Sequence, residues 1–298
     1  MGQGNPLGDL SDRLAALVER AGPSVVQVRG RHARPATGTV FGDARVLTVA
    51  QALEHGSEFS VKTASGESFR AEPAGSDPST GLAVLRVADL KSPALPRAER
   101  PRVGELAIAL GRTWSGALAA SAGVVSVIGG PLRTGRGPGI EQVLRADVRP
   151  HPLGAGGPLV DAAGHVLGVA TGASLRGLPL FIPGTIAWQV ADTLASQGRI
   201  KRGYLGVGAQ PVRIPSAQRA GRPQEVGLLV LGTAGDSPAE RAGVLIGDLI
   251  VGFDGHAVEA HDDLLALLTA DRVGKKVPLD AIRGGELRTL QIEVGELR

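Results

Sequence analysis

Residues 154–169 read GAGGPLVDAAGHVLGV and form the most informative stretch of the 298-residue chain. The stretch opens with three glycines among residues 154–157 and continues through Leu159 and Val160 to a turn. Glycine tolerates backbone conformations that other residues resist, so such a run is typical of a tightly folded loop. The β-branched residues that follow, in GHVLGVAT, favour a strand. The stretch therefore predicts a glycine-rich loop, a turn and a buried strand.

Similar short strand-like segments separated by turns occur on both sides of this loop. From Pro23 onward, short runs with β-branched residues alternate with turn signals, and no long amphipathic helix interrupts them. The predicted strands are SVVQVRG, RVLTVA, FSVKT, LAVLRV, ELAIALG, GVVSVIG, QVLRADV, GHVLGVAT and LPLFIPG. Because these strands are short and closely spaced, we predict a mainly β, antiparallel region of roughly 160 residues.

Helices are predicted on either side of this region. From Asp9 to Ala21, Leu10, Leu14 and Leu17 recur on one face, with Asp9 or Ser11 as the cap. A second helix spans Ile186 to Gly198, where the glycine ends it. We expect three parts: an N-terminal helical segment at 1–22, the β-rich domain at 23–198 and a further domain at 199–298.

Composition excludes several classes of protein. With 43% hydrophobic and 20% charged residues, the chain is neither a disordered tail nor a coiled coil. It has no cysteine, which excludes disulfides, iron–sulfur clusters, thiol catalysis and thiolate zinc sites; no cofactor or metal is expected. Two Trp, one Tyr and five Phe leave little for a base-stacking platform, so no nucleic acid is expected.

The chain shows no predicted membrane span and no predicted signal peptide. The longest uncharged stretch, Thr113 to Leu132, is broken by Gly, Ser and Pro and fits two strands and a turn. The first residues, MGQGNPLGDLSDRLAALVERAG, lack a basic start and a continuous apolar core. We therefore expect a cytoplasmic location, with a periplasmic or extracytoplasmic one as the alternative if an export signal was removed.

Four motifs resemble trypsin-like serine proteases of the high-temperature-requirement (HtrA/Deg) type. The loop at 154–160 resembles their G-N-S-G-G-P-L-V, and residues 45–51 (RVLTVAQ) resemble the I-L-T-N-A-H segment that carries the catalytic His. Residues 77–85 (DPSTGLAVL) resemble the D-x-x-T-D-L-A-V-L segment that carries the catalytic Asp, and Phe181-Ile182-Pro183 resembles F-A-I-P. This resemblance implies a chymotrypsin/trypsin-like double β-barrel, with six strands in each barrel.

The catalytic positions of this resemblance are changed. Gln51 stands where the family has His, Gly81 where it has Asp, and Ala155 where it has the nucleophilic Ser. Nucleophilic catalysis needs a hydroxyl, a base beside it and a group that orients the base. Leu153 replaces the family's glycine two residues before the Ser, and its Cβ disfavours the turn that aims an amide at the oxyanion. The sequence therefore predicts a protease fold without protease chemistry.

Alternative readings of the site are weaker. Using His55 as the base would require a four-residue slip, which the match of residues 45–50 opposes, and Ala155 would still lack a hydroxyl. Ser121, Ser126 and Ser174 are expected to be ordinary strand or turn residues. His151 and His165 flank the glycine-rich loop without the acidic spacing of a metal site, and we expect them to be surface or turn residues.

The C-terminal domain resembles a PDZ domain. Residues 202–207 (RGYLGV) resemble the family's R-G-W-L-G-V, and residues 235–250 (GDSPAERAGVLIGDLI) closely resemble its G-S-P-A-x-x-A-G-L-x-x-G-D-x-I. We expect Ser237 to cap a helix that Pro238 begins. The resemblance implies capture of a peptide as an added strand, its carboxylate bound by loop amides. The expected peptide-binding residues are Arg202, Tyr204, Leu205, Gly206, Val207, Leu264 and Leu268, the last two being equally consistent with plain core.

The expected function is that of a catalytically inactive HtrA-like protein that binds peptides or protein C-termini, as scaffold, regulator or chaperone-like factor. The alternatives are an active serine endopeptidase with a misinterpreted site and a regulatory subunit of an active paralogue. Family members form trimers through aromatic residues near the start of the protease domain. This chain has no aromatic residue before Phe41, which argues against that trimer and leaves other homo-oligomers open.

Overall fold

The computed structural model describes residues 5–31, 33–54, 58–98, 100–130, 142–175, 178–200 and 203–297. Spatial proximity divides the chain into two compact units, and the division falls after Ile200. Each unit has its own apolar core. The chain is mainly β, as predicted.

The first unit contains two closed antiparallel barrels of six strands each. The strands of the first are β1 Val25–Gly30, β2 Ala36–Gly42, β3 Arg45–Val49, β4 Phe59–Lys62, β5 Ser68–Asp77 and β6 Leu82–Arg86. Those of the second are β7 Leu106–Arg112, β8 Leu118–Gly129, β9 Val143–Ala146, β10 Pro158–Val160, β11 Val166–Leu175 and β12 Leu178–Pro183. The first barrel has the strand order β1-β2-β3-β6-β5-β4 and the second β10-β11-β12-β9-β8-β7.

Two helices complete this unit. Helix α1 spans Pro6–Ala21 and α2 spans Gly184–Gln197. Helix α2 ends at Gly198, as predicted, because that glycine takes a left-handed backbone conformation and its N–H donates to the Leu194 carbonyl. Trp188 of α2 is buried and stacks on Phe41 at 5.9 Å between ring centroids. Helix α2 thus closes the apolar core that residues of both barrels share.

The start of α1 differs from the prediction. The helix begins at Pro6 with Asn5 as its N-cap residue, so neither Asp9 nor Ser11 caps it. Proline has no backbone N–H to leave unpaired, which suits it to a first helical turn. Leu17 is buried, but Leu10 is 49% exposed and lies off the buried face. The leucine spacing located the helix correctly and its start incorrectly.

Three strands lie where none was predicted. Strand β2 contains Thr37 and Thr39, both fully buried, and lacks the aliphatic run that marks its neighbours. Strand β5 is interrupted by Pro73 and Gly75 and is mostly polar. Strand β10 has only three residues and follows the glycine-rich loop directly. Barrel closure supplies the pairing that these local sequences do not specify.

The second unit is a smaller α+β domain. Its strands are β13 Gly203–Tyr204, β14 Val207–Arg213, β15 Val226–Thr233, β16 Leu249–Phe253, β17 His256–Ala257, β18 Lys276–Arg283, β19 Glu286–Glu293 and β20 Gly295–Glu296. They form a sheet in the order β14-β15-β16-β18-β19, with β17 on β16, while β13 pairs β20. Helices α3 Pro238–Arg241 and α4 His261–Leu267 cover its core.

The predicted cap chemistry of this unit is confirmed. The Ser237 hydroxyl accepts a hydrogen bond from the Glu240 N–H at 3.2 Å, and Pro238 is the first residue of α3. Asp254 and Gly255 both have positive φ, as a two-residue hairpin turn requires. Across the described ranges, no helix is long and apolar enough to cross a membrane.

Candidate functional site

The first two positions of the altered triad lie beside each other. Gln51 is in the short 3-10 turn that follows β3, with its side chain exposed. Gly81 precedes β6, the neighbour of β3 in the barrel. The Ala50 N–H donates to the Gly81 carbonyl at 2.7 Å, which ties the two loops together. The scaffold that would present a base and its orienting group is therefore intact.

Buried threonines hold the third position against the first barrel. Thr37 donates its N–H to the Ala155 carbonyl at 3.0 Å and its hydroxyl to the Leu153 carbonyl at 2.7 Å. Thr39 donates its hydroxyl to the Gly156 carbonyl at 2.9 Å. Since β2 pairs with β3, these bonds bring the glycine-rich loop next to the turn that carries Gln51.

The glycine at 156 serves this packing. Gly156 has a φ of +84°, and a Cβ there would clash with the Thr37 carbonyl. Residues with a side chain rarely adopt that backbone conformation, and here the Thr37 carbonyl leaves no room for one. The glycine motif is therefore explained by packing alone, without any reaction.

A cleft with two cavities surrounds Ala155. One cavity of about 370 Å³ is lined by Gln51, Leu153 and Ala155, among others. The other, of about 470 Å³, is lined by His151 and again by Ala155. The structure thus brings together Gln51, Leu153 and Ala155, and the side chain at the predicted nucleophile position is a methyl group.

The amide of Leu153 has an internal partner. Its N–H donates to Nδ1 of His151 at 3.1 Å, and the Leu153 side chain is buried. In the family arrangement this amide would face a developing oxyanion. Sequence reasoning took His151 for a surface or turn residue, and it does open a turn, in which its carbonyl accepts the Gly154 N–H at 2.7 Å. Its half-buried side chain also holds the Leu153 amide. No sequence signal identified that contact, because it depends on the loop's own path.

The other candidate residues form no second site. Ser121 accepts the Arg149 N–H at 2.8 Å, Ser126 has a buried hydroxyl without a hydrogen-bond partner, and Ser174 lines the 470 Å³ cavity. No hydrogen bond among the described residues joins any of the three to a histidine. In the predicted turn, Nδ1 of His165 lies 3.3 Å from Oδ2 of Asp161. His55 lies outside the described residues.

No metal site is present in the part of the chain that the structure describes, since no group of three or more His, Asp or Glu side chains converges there.

The second unit carries a groove of about 450 Å³. Six of the seven predicted peptide-binding residues line it, while Arg202 lies outside the described residues. Leu264 and Leu268 are both core residues and groove residues, since they are buried and also line the groove. Sequence reasoning missed lining residues from β15 and the C-terminal segment, among them Thr233 and Leu297. It also missed His261 and Leu265, which lie on α4 beside Leu264.

The loop before β14 is oriented for anion capture. The Leu205 carbonyl accepts from Ala239 N–H at 2.9 Å, and the Gly206 carbonyl accepts from Ala234 N–H at 2.8 Å. Because a trans peptide places its N–H opposite its carbonyl, the amides of Gly206 and Val207 point away from those partners. Successive amides that are left free in this way can turn toward one point and form an anion-binding concavity.

Strand β14 offers an edge for strand addition. It is the first strand of its sheet and pairs only with β15 among the described strands. An unpaired strand edge is a template for an added strand. The groove thus combines an open edge, an apolar floor and a loop that can bind a carboxylate.

Comparison with known proteins matches both units. The trypsin-like peptidase domain family matches residues 36–169, and the PDZ domain family matches residues 203–294. A protein of Pseudomonas fulva named "Probable periplasmic serine endoprotease DegP-like" is 31% identical over 264 residues, covering 86% of this chain and 54% of that protein. A protein of the same name from Rhizobium meliloti is 30% identical, covering 96% of this chain and 58% of that protein.

A solved structure described as "HtrA-type protease AlgW with decapeptide" has a TM-score of 0.79 and 25% identity, covering 95% of this chain and 98% of that one. The chain spans somewhat more than half the length of the two curated relatives above.

The predicted cytoplasmic location is wrong. The relatives are named as periplasmic endoproteases, which points to the periplasm. The prediction rested on the missing pattern of a signal peptide in the first residues, and that pattern is a poor guide because a signal peptide is removed from the mature protein.

Proposed function

The chain belongs to the HtrA/Deg family of trypsin-like proteases with a PDZ domain, and we propose that it is a catalytically inactive member. It binds peptides or protein C-termini through its PDZ domain and acts in protein quality control as a scaffold, regulator or chaperone-like factor. The observation that carries this proposal is the methyl group of Ala155 at the nucleophile position, between the two cavities of the cleft.

Three altered positions remove the chemistry together. Ala155 has no oxygen, Gln51 has no useful proton affinity and Gly81 has no side chain to orient a base. In a serine protease where the triad was removed, kcat fell by about a millionfold. What survives there comes from substrate binding and from the oxyanion hole.

The oxyanion hole is also compromised. A donor to the oxyanion is worth about a hundredfold to a thousandfold in kcat. Here the Leu153 N–H donates to His151, so binding an oxyanion would first require breaking that hydrogen bond. Residual turnover of the kind seen without a triad is therefore not expected.

The groove supports the binding half of the proposal. It joins the amides of Gly206 and Val207 to the free edge of β14, the two features that recognition of a chain terminus uses. The solved structure of AlgW with a decapeptide shows that a relative of similar fold binds peptides. The curated relatives are named as periplasmic endoproteases, which supports a function in the periplasm.

Digestion of unfolded casein by the purified protein tests the proposal. We expect no cleavage by the wild type and none by Ala155→Ser, because the base and its orienting group are also missing. A fluorophosphonate probe should leave the wild type unlabelled. Cleavage or labelling would instead support an active endopeptidase with another nucleophile.

Calorimetric titration with a library of free C-terminal peptides tests the groove separately. At least one apolar-ended peptide should bind, and amidation of its C-terminus should abolish binding. Failure of every peptide would contradict the binding half. Co-purification with an active paralogue whose cleavage rate changes on association would instead favour the regulatory-subunit alternative.

A further inference from the structure

The cavity of about 470 Å³ beside Ala155, which we call the basic cavity, has a lining of one charge sign. Arg149 and His151 line it, and none of its described lining residues is Asp or Glu. The remainder is small or apolar, including Val148, Ala170 and Leu180. We propose that this cavity binds an acidic side chain of a peptide that lies uncleaved in the barrel cleft.

His151 is held as a hydrogen-bond donor toward such a ligand. Its Nδ1 accepts the Leu153 N–H at 3.1 Å, so in this arrangement Nδ1 carries no proton. A neutral imidazole then bears its proton on Nε2. The bond that occupies the Leu153 amide therefore also turns the histidine into a donor for a carboxylate.

Arg149 supplies the charge. Its side chain is exposed, while its backbone N–H donates to the Ser121 hydroxyl at 2.8 Å and anchors the residue. A guanidinium has five donors in a planar fork that matches a carboxylate in two-point contact. An arginine at the rim and a histidine donor together recognise a carboxylate better than a neutral amide of the same shape.

The charge of the surrounding chain favours the same ligand. Residues 1–202 contain 22 basic and 16 acidic residues, whereas residues 203–298 contain 10 and 13. An excess of basic residues in the part of the chain that holds the cleft raises the rate at which acidic partners arrive. The inference rests on the proposed function in one respect: the bound peptide stays intact because the cleft does not hydrolyse it. It does not depend on peptide binding in the groove of the second unit.

The test measures fluorescence anisotropy with the full chain and labelled, C-terminally amidated alanine-rich peptides that differ at one central residue, Glu, Gln or Lys. Amidation removes the carboxylate that the groove would capture. We expect the Glu peptide to bind roughly threefold to tenfold more tightly than the Gln peptide at low salt. The Lys peptide should bind more weakly than either.

Variants locate the preference. Arg149→Gln should abolish most of the difference between the Glu and Gln peptides, and Arg149→Glu should reverse the order of the Glu and Lys peptides. Arg86→Gln, an equal change of charge at an exposed position on β6, should leave the preference intact. His151→Asn keeps an acceptor for the Leu153 amide but removes the Nε2 donor, and should weaken the preference partly.

Several outcomes would overturn the proposal. These are equal binding of the Glu and Gln peptides, a preference that survives Arg149→Gln, or complete displacement by a free C-terminal peptide, which would place binding in the groove. Mass spectrometry of the bound Glu peptide separates the two proposals. A peptide that depends on Arg149 for binding and is nevertheless cleaved would refute inactivity and leave the acidic preference standing.

Discussion

The barrel cleft and the groove of the second unit differ in what the sequence has kept. In the cleft the three positions of a triad converge, yet Gln51, Gly81 and Ala155 supply none of its reactive groups. In the groove the loop of Tyr204–Val207, the open edge of β14 and the leucines of α4 are all present. The scaffold survives in both regions, and the side-chain chemistry is absent from one.

The physical reason is the kind of atom on which each region depends. Catalysis depends on a few side-chain atoms that carry no packing role, so replacing a hydroxyl by a hydrogen leaves the barrel unchanged. The groove depends on backbone amides and on Leu264 and Leu268, which are also core. Because those features belong to the fold, changes that remove them should also destabilise the domain.

The largest expected effect comes from rebuilding the cleft. The triple variant Gln51→His, Gly81→Asp, Ala155→Ser restores the triad residues, and Gly81 can accept Asp because nothing lies within 4 Å of its Cβ. Its φ of +68° is one that Asp tolerates better than most residues. Adding Leu153→Gly to the triple variant should raise its rate of casein cleavage about a hundredfold or more. The amide of residue 153 can then turn toward an oxyanion.

Initial rates with labelled casein would measure this, with Ala155→Ser alone as the inactive reference. If the triple variant cleaves as fast as the quadruple one, the Leu153 amide is not limiting. In that case the cleft has lost only its side chains, and the contrast with the groove becomes sharper.

The groove should respond to a single methyl group. Gly206 has a φ of +75°, and a Cβ there would clash with the Cβ of Ser237. Gly206→Ala should therefore cost about 3–5 kcal/mol of unfolding free energy in the second unit and abolish peptide binding. Gly221→Ala is the matched control, since Gly221 has a φ of +78° with open space around it, and should cost only about 1–2 kcal/mol.

Denaturant unfolding and peptide titration of both variants would measure these effects. Equal losses would mean that backbone conformation alone matters at Gly206, and that the close approach to Ser237 contributes nothing. A Gly206→Ala protein that is folded and still binds would contradict the assignment of the carboxylate to this loop.

Much of the fold follows from local sequence. The strands LAVLRV and GVVSVIG carry their own β-branched signal, and the segment 235–250 encodes a cap, a turn and a buried strand. The sequence did not predict the strand pairing that results from closure of the barrel. Thr37 and Thr39 on β2 look polar and unremarkable until the barrel buries them beneath the glycine-rich loop.

The candidate site divides in the same way. The altered positions could be proposed from the sequence because each lies in a motif with its neighbours intact. The partner of the Leu153 amide could not, since a histidine two residues earlier gives no signal unless the path of the loop is known. The groove residues Thr233 and His261 come from elements distant in sequence from Tyr204–Val207, and only the folded sheet brings them together.

A smaller loss of stability is expected when Thr37, which supports the cleft, is changed. Thr37 is fully buried; its hydroxyl donates to the Leu153 carbonyl and accepts the Arg112 N–H at 2.9 Å. Thr37→Val keeps the shape but leaves both groups without their partner, at a cost of about 2–4 kcal/mol. Thr193→Val on α2, which removes a hydrogen bond to Gln189 near the surface, should cost less than about 1 kcal/mol.

Thermal unfolding of the two valine variants would compare them. Similar small losses would show that the site loop does not depend on Thr37, and that the glycines alone maintain the cleft.

The smallest expected effect concerns a charged pair that supports the second unit. The Asp248 side chain is buried, and its two oxygens accept from Arg283 Nε at 2.7 Å and Arg283 Nη2 at 2.8 Å. Burial by itself raises the pKa of Asp248. The hydrogen bonds from Arg283 and from the Leu245 N–H outweigh it, and the net pKa lies below the ordinary value.

A lowered pKa in the folded state means that the unfolded chain binds the proton more readily. The pair therefore stabilises the fold above the carboxyl's unfolded pKa, and this contribution is lost as the pH falls through the lower, folded pKa. Asp248→Asn should cost about 1–2 kcal/mol at pH 7, and the gap to wild type should close in acid. A gap independent of pH would show that shape and not charge holds Asp248.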